Sequence, residues 1–447
     1  MTVSGAPMDL GDTKGRRALS VATQLKNAGF VAYFAGGCVR DHLMGKKPED
    51  FDIATNAKPE DVEKIFLKTV PVGKQFGVMI VVEGDIPFEV ATFRCEGGYQ
   101  DGRHPTQVAF TSPEEDVQRR DFTVNGLFYD PFAKQVIDYV EGVEDIPRKV
   151  IRAIGDPDAR FDEDKLRLLR AIRFASTLGF EIEKKTWDAV CRKAAEIRAV
   201  SPERIREELV KIFTRTGAAR GYVLLSESGL MKEILPEIEA LRGVEQPKNF
   251  HPEGDVFEHT RLLFENLRPP VSVILAFSAL FHDVGKPKTS AIRKGRLTFY
   301  EHSEEGADIS REVMKRLRFS NEEIAGVCEC VANHMKFMDV KKMRAGKLKL
   351  FISRPYFGEE MELHRVDCVA SHGMLDNYEF LQGKLQEYAH EELKPKPFVN
   401  GNDLIAFGMQ PGPAMKPVLE ELYELQLEGA HKTREEALEW AKKKVGK

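Results

Sequence analysis

No run of about 18 apolar residues occurs in the chain, which argues against a helical membrane span. Its first residues, MTVSGAPMDLGDTKGRR, lack the apolar stretch of a secretory leader, so a cytoplasmic location is the expectation. Cysteine is scarce and scattered. Cys38, Cys95, Cys191, Cys328, Cys330 and Cys368 form no paired CxxC arrangement, so neither a zinc ribbon nor a disulfide framework is indicated, and they read as reduced packing residues. Positive charge is not in excess either. A formal net charge of −5 argues against a protein that coats nucleic acid through bulk charge, yet leaves room for a local basic groove. There is no internal repeat and no low-complexity tract. What is present, 447 residues with 42% hydrophobic and 31% charged residues, suits a soluble globular chain of at least three domains, each burying its own core.

The first 150 or so residues alternate helical and strand patterns. GRRALSVATQLKNAGF has helical spacing, VAYFAGG is a strand running into glycines, and CVRDHLMG is a short helix. FDIAT is a strand, PEDVEKIF a helix opened by Pro59, and GVMIVVEGDIPFEVATFR two strands around a turn at EGD. This is a mixed α/β domain. From about residue 160 the pattern becomes amphipathic helix: DEDKLRLLRAIRFASTLGF, KKTWDAVCRKAAEIRAV and PERIREELVKIFT. Strands do not return convincingly. GVEQPKNFHPEGD, near 243–255, reads as a linker, and a charged helix, TREEALEWAKKKVGK, ends the chain.

Asp50 and Asp52 stand two apart at the start of FDIAT, where strand geometry would project both carboxylates to one face. Unpaired they would repel, so a cation between them would account for the pair; a solvated turn accounts for it as well. Glu89, on the second strand of the predicted hairpin, would make a third carboxylate if the strands neighbour each other, a set suited to magnesium and phosphoryl or nucleotidyl transfer. Gly36 and Gly37 follow a strand and precede a helix, where bare backbone N–H groups can approach phosphate, although such a pair also serves as a plain turn. RRDFTVNGLFYDP sets Arg119, Arg120, Asp121 and Asn125 together, either as a solvated charge run or as contacts to a triphosphate and a ribose hydroxyl.

In RFDEDKLRLLRAIRF, Asp164 and Arg167 are three apart, which on one helix would make an ordinary ion pair. They can also read base edges. A carboxylate accepts from the amino group of cytosine or adenine while a guanidinium donates to the ring nitrogen; uracil and guanine present the opposite pattern, so the pair would admit CTP and ATP only.

GGCVRDHLMGKKPEDFDIAT, FEVATFR, RRDFTVNGLFYDP and EDKLRLLRAIRF occur in the order and approximate spacing of the class II tRNA nucleotidyltransferase and bacterial poly(A) polymerase family, which the chain resembles over at least residues 30–240. The resemblance implies that Asp50, Asp52 and Glu89 hold magnesium as the catalytic carboxylates. It implies that Arg119, Arg120, Asp121 and Asn125 contact triphosphate and ribose, that Asp164 and Arg167, with Glu163 beside them, choose the base without a template, and that Gly36, Gly37, Arg40 and Arg170 complete the nucleotide site. Lys46 stands where Arg is common and Gly126 where Ala is usual. RCEGGYQDGRHPTQ resembles the family's flexible loop, associated with the switch from CTP to ATP.

Seven of the 11 histidines fall between His251 and His372. The ordered set His259, His282, Asp283, His302, His334 and Asp367, in a helical block, resembles the HD phosphohydrolase superfamily. Imidazole with carboxylate suits a transition ion (nickel, manganese, cobalt or iron) and phosphate ester hydrolysis; a site with one metal could omit His302 and His334.

The fold expected is multidomain: an α/β nucleotidyltransferase head with a mixed sheet over 1–155, a helical neck and body over 156–245 for base selection and RNA binding, an all-α HD domain over 246–375, and a helical tail over 376–447. The function implied by the resemblance is addition of CCA, CC or A to a tRNA 3′ end from CTP and ATP, with tRNA as partner and no membrane. Poly(A) polymerase, and an HD phosphohydrolase with a non-catalytic RNA-binding head, are the alternatives. An HD domain accompanies several tRNA nucleotidyltransferases and is generally missing from bacterial poly(A) polymerases, which favours the first.

Overall fold

Among the described residues, the β-branched and aromatic runs of the first 140 residues fold as ten strands. They are β1 Thr2–Ser4, β2 Ala32–Ala35, β3 Asp52–Thr55, β4 Thr69–Gly73, β5 Val78–Glu83, β6 Ile86–Thr92, β7 Arg94–Tyr99, β8 Pro105–Phe110, β9 Leu127–Asp130 and β10 Gln135–Asp138. The computed structural model describes residues 2–4, 7–99, 105–247, 254–389 and 392–446. The chain divides into two units, Met1–Pro236 and Glu237–Lys447.

In the first unit eight strands form one sheet in the order β1-β10-β9-β2-β3-β6-β5-β4. β3 and β6 pair in parallel, with Ile53 opposite Val90, and the neighbouring pairs are antiparallel. The expected hairpin is there: Glu83 faces Ile86, and Gly84 takes φ +65° in the two-residue turn. One core packs Ala35, Ala54, Phe93, Val117, Phe128 and Ile154. β7 and β8 pair antiparallel from Arg94 opposite Phe110. The segment expected as a loop therefore has ladder-bonded arms, because backbone pairing needs no apolar alternation; its residues 100–104 lie outside the described residues.

After the sheet come the helices Pro157–Glu163, Arg167–Leu178, Lys184–Lys193, Pro202–Phe213 and Ala218–Glu227. Ser201 and Pro202 open the fourth, with Pro202 in its first turn, although the Ser201 side chain makes no capping hydrogen bond. The expectation that strands do not return is corrected. Val150–Ile151 and Glu181–Ile182 pair in parallel, and Ala291–Arg293 and Arg296–Thr298 form a small hairpin. Elements of two or three residues are too short to show a period of two.

The second unit is mainly helical. Its helix Val273–Phe281, buried from Leu275 onward, delivers His282 and Asp283 at its end. Further clusters gather Phe337, Leu348, Phe351 and Phe357, and Val399, Leu404, Leu422 and Ala441. Among the described residues no helix is long and apolar enough to cross a membrane.

Two glycines test how tightly the head is packed. A Cβ on Gly142 would lie 2.2 Å from the Thr123 carbonyl oxygen, whereas one on Gly126 would lie 2.8 Å from Val140 Cγ2 and 2.9 Å from Val117 Cγ2. Side-chain methyls yield more easily than backbone, so Gly126→Ala should cost about 1 kcal/mol and Gly142→Ala about 3 kcal/mol. Calorimetry of the two variants checks the order; equal melting temperatures would contradict it.

Candidate active site and metal centre

Asp52 opens β3, one residue before the Ile53–Val90 match, and this brings its carboxyl beside that of Glu89 on β6. Burial, and then the Glu89 charge, push Asp52 up to about 6 against the pull of Arg120. Two carboxylates set side by side, with like charge and oxygen donors, are what a hard divalent cation fits. Asp50 differs from expectation. The strand begins at Asp52, and Asp50, with 81% of its side chain exposed, sits in the preceding loop on Lys14. Lys14 also donates to the Glu49 carbonyl at 2.6 Å, which holds that loop off the ladder.

A cavity of about 460 Å³ gathers Gly36, Gly37, Arg40, Asp52, Arg119, Arg120, Asp121, Asn125, Asp164, Arg167 and Arg170. A hollow of about 200 Å³ holds Glu89 and shares Asp52, Arg119 and Arg120 with it. Gly36 turns the chain from β2 into the helix Gly37–Leu43 at φ +72°, a left-handed conformation that suits glycine. The polar groups are chained. Arg40 donates to Asn125 Oδ1 at 2.6 Å, Asn125 donates to Asp121 Oδ1 at 3.3 Å, and Arg170 Nε donates to Asp121 Oδ2 at 2.7 Å.

Asp164 and Arg167 both line the cavity, but they are not the intrahelical pair that their spacing predicts. One helix ends at Glu163 and the next starts at Arg167; Asp164, at φ −144° between them, accepts from the Leu166 N–H. Such local bonding favours a helix break over continuation. Arg167 instead bridges Glu163 at 2.7 Å and donates to the Arg119 and Arg160 carbonyls, while Asp164 takes a two-bond fork from Arg204 at 2.8 and 3.1 Å. Glu163, paired to Arg160 and Arg167, lies outside the cavity lining.

The second unit brings its predicted residues together in two trios, His259, His282 and Asp367, and Asp283, His302 and His334. His259 Nε2 is 3.0 Å from Asp367 Oδ1, and His282 Nε2 is 3.1 Å from Asp283 Oδ2. The Nδ1 atoms of His282, His302 and His334 face the carbonyls of Ala279, Phe299 and Val331 at 3.0, 2.7 and 2.6 Å. An Nδ1–H donated to each carbonyl leaves the Nε2 lone pair pointing inward. His302 and His334 then face one another Nε2 to Nε2 at 3.1 Å, an arrangement that a shared cation relieves. Burial pushes His334 down to about 3 and lowers His302 as well, so both imidazoles are neutral ligands at pH 7. Burial raises Asp283, but His282 and Lys286 outweigh it and hold the carboxyl well below the usual range.

Three family models match: a poly A polymerase head domain over residues 32–152, a probable RNA-binding segment of polymerase A over 179–241, and an HD domain over 255–370. Over these segments the chain is similar to a poly A polymerase head, an RNA-binding segment of polymerase A and an HD domain, in the order that the motifs predict. The CCA-adding enzyme of Geobacillus stearothermophilus is 44% identical over 216 residues, 48% of this chain and 53% of that protein. The chain spans about half the length of the curated relatives it matches. The crystal structure of the Bacillus stearothermophilus CCA-adding enzyme in complex with CTP superposes with a TM-score of 0.76 at 27% identity, over 97% of this chain and 98% of that one. A Thermotoga maritima CCA-adding enzyme complexed with tRNA, 19% identical over 98% of this chain and 97% of that one, shares the fold with a TM-score of 0.61. Domains of both kinds generally use divalent metals.

Several residues of the site escape a reading of the motifs. Asp116, 1% exposed, takes Arg119 at 2.7 Å and Arg120 at 3.2 Å and accepts the Arg94 N–H at 3.1 Å. Its spacing to the arginines, three and four along a helix end, was the available signal. Arg204 and Phe174 line the cavity, and nothing in an amphipathic helix pattern marks them. Lys286, 2.6 Å from Asp283, follows it by one helical turn.

Burial raises Asp116, but Arg120 and Arg119 prevail and its carboxyl lies below the ordinary value. A carboxylate depressed by folding stabilises above its unfolded pKa of about 3.9 and loses that contribution as pH falls through the folded value. Asp116→Asn should therefore cost about 3 kcal/mol at pH 7, and the gap to the wild type should narrow below about pH 4. Denaturant melts at pH 7 and pH 3.5 read it out; a gap that stays constant would remove Asp116 from the account.

Proposed function

We propose that the chain adds CCA, or part of it, to the 3′ end of tRNA from CTP and ATP. The observation that carries this reading is one cavity in which Asp52, the guanidinium groups suited to a triphosphate, and the Asp164 and Arg167 edge pair all meet. Asp52 and Glu89, joined by Asp50 when it gives up Lys14, would hold magnesium, whose chemistry there is activation of the hydroxyl and neutralisation of pyrophosphate. The primer 3′-oxygen bonds to the α-phosphorus, the bond to the bridging oxygen breaks, and pyrophosphate leaves. Arg119 and Arg120, fixed by Asp116, donate to the triphosphate; Asp121 and Asn125, chained to Arg40 and Arg170, position the ribose.

Asp164 accepts from the amino group of cytosine or adenine and Arg167 donates to the ring nitrogen. Arg204 and the Leu166 N–H occupy Asp164 Oδ1, whereas Oδ2, bonded to Arg204 alone, keeps a second lone pair for the base. The four-part division into head, body, HD domain and tail, with bounds at 155, 245 and 375, belongs to this reading. So does a cytoplasmic setting.

The test is incubation with tRNA ending before CCA, and with tRNA ending in CC, each with single labelled nucleotides and magnesium. Addition stopping at CCA supports the reading, and a long adenylate tract on unstructured RNA would replace it with poly(A) polymerase. The head's share of the chemistry has its own expected outcome: Asp52→Asn abolishes addition with the fold retained, and addition by that variant would rule the site out. Asp164→Ala should raise UTP and GTP misincorporation about 10-fold or more while changing triphosphate affinity less; unchanged selectivity in single-nucleotide incorporation would leave Asp164 a partner of Arg204 only.

A second activity is favoured by the neutral, inward-facing imidazoles of the second unit: hydrolysis of phosphate esters such as 2′,3′-cyclic ends, with nickel, manganese, cobalt or iron held by His259, His282, Asp283 and Asp367, and His302 and His334 completing a two-metal set. His282→Ala combined with Asp283→Ala should stop hydrolysis, strip bound transition metal and spare tRNA extension. Metal analysis and a cyclic-nucleotide assay check it, and absence of both metal and cleavage in the wild type would make the domain scaffold.

A further inference from the structure

The first turn of the helix Thr13–Asn27 holds Lys14 and no acidic residue. A cation at that end opposes the helix dipole, so helix stability does not account for it. Its partners lie in the loop that leads into β3. Lys14 Nζ donates to the Glu49 carbonyl at 2.6 Å and bridges the Asp50 carboxylate, while Lys47 of the same loop pairs with Asp12, the helix N-cap, at 2.8 Å. Helix and loop are therefore clasped in both directions. The two bridges hold different acids. Asp12 already accepts the Gly15 N–H at 2.6 Å and would stay a cap without its lysine, whereas Asp50 is the one carboxylate of the expected magnesium set that stands apart from the other two.

The charge of Lys14 reaches further than its contacts. Burial and then the Glu89 charge raise Asp52; Asp50 adds to the rise, and Arg120 and Lys14 oppose it. The lysine thus supplies positive charge to two of the three carboxylates, which is the part a metal ion plays among them. Its hold on Asp50 is also weak. With 34% of the Lys14 side chain exposed and Asp50 more exposed still, the pair meets water and is easily exchanged. A divalent ion carries twice the charge of an ammonium and gathers several oxygens at once, so it can take the carboxylate over.

We propose that Lys14 is a positioning residue that competes with magnesium for Asp50, keeping this carboxylate in the loop until the metal site fills. The exchange swaps one cation for another at a single carboxylate. No proton moves, because Lys14 leaves as the ammonium. The proposal rests on the nucleotidyl-transfer reading for a metal at Asp52 and Glu89, and adds that the affinity for this metal is held down by a side chain outside the ligand set.

The experiment uses the full chain without nucleotide or RNA, with manganese(II) as the probe and its free concentration read by electron paramagnetic resonance. The share of binding that Asp52→Asn removes belongs to the head. Lys14→Met should raise the affinity of that share about 3-fold or more, and Lys14→Arg, which keeps the charge, should stay close to the wild type. Asp50→Asn should lower it. The deciding measurement is the pair of changes together: in the Asp50→Asn background, Lys14→Met should shift the affinity by less than about 2-fold, since the acid it competes for is gone. An unchanged affinity in Lys14→Met overturns the proposal. So does an equal gain with and without Asp50, which would make Lys14 a source of long-range field only, and so does a wild type from which Asp52→Asn removes no manganese. Nucleotide addition to tRNA separates the two readings. If the Lys14 results hold but no nucleotide is added, the competition stands and the function reading falls; if Lys14→Met binds metal as the wild type does while CCA is added, the competition falls and the function reading stands.

Discussion

Like charge at high density governs the head. Six guanidinium groups, of Arg40, Arg119, Arg120, Arg167, Arg170 and Arg204, line one cavity, and each is tied to a carboxylate: Asp41, Asp116, Asp116, Glu163, Asp121 and Asp164 respectively. Without those partners the arginines would repel and their side chains would wander. With them, the helix Gly37–Leu43, the segment from Asp116 to Asp121, the 3-10 turn at Thr123–Asn125 and the two helices around Asp164 are tied together. Phe174 adds a ring face 5.5 Å from the Arg40 guanidinium and 5.2 Å from that of Arg170. Removing Asp116 or Asp121 would disturb geometry and charge at once, because both are buried among the cations they hold.

The second unit solves a related problem by hydrogen bonding to the backbone. Three imidazoles are oriented through Nδ1 by carbonyl groups three residues upstream, a device that needs no second charged residue. It turns each Nε2 inward as a nitrogen donor, in contrast to the oxygen pair of Asp52 and Glu89. Two chemistries thus sit in two units, one suited to hard ions and one to softer ions.

Much of this was legible in the sequence, and what was missed has a physical pattern. Strand, turn and helix around Gly36 follow from β-branching and paired glycines, whereas the register that sets Asp52 beside Glu89 comes from the parallel pairing of β3 with β6, which the β5–β6 hairpin does not dictate. The HD residues were readable because they are histidines and their order is preserved. Asp50 and Asp164 were misplaced, both for one reason: spacing along a chain predicts a shared face only while one regular element continues, and in both places an acidic residue sits just outside the element's end. Asp116, Arg204 and Lys286 stayed hidden because a buried acid or a long cation looks, in sequence, like any surface charge on an amphipathic helix. Their roles come from the tertiary partner.

The cavity's charge also bears on how a nucleotide would be recognised. Its six guanidinium groups face three carboxylates in the lining, Asp52, Asp121 and Asp164, so the field is positive but far weaker than the arginines alone would produce. Affinity for any polyanion is reduced by that neutralisation. In return the donors are already ordered, so little side-chain entropy remains to be lost when a ligand enters, and the carboxylates repel anions that do not fit. A site built this way separates ligands by where their charges lie rather than by how many they carry.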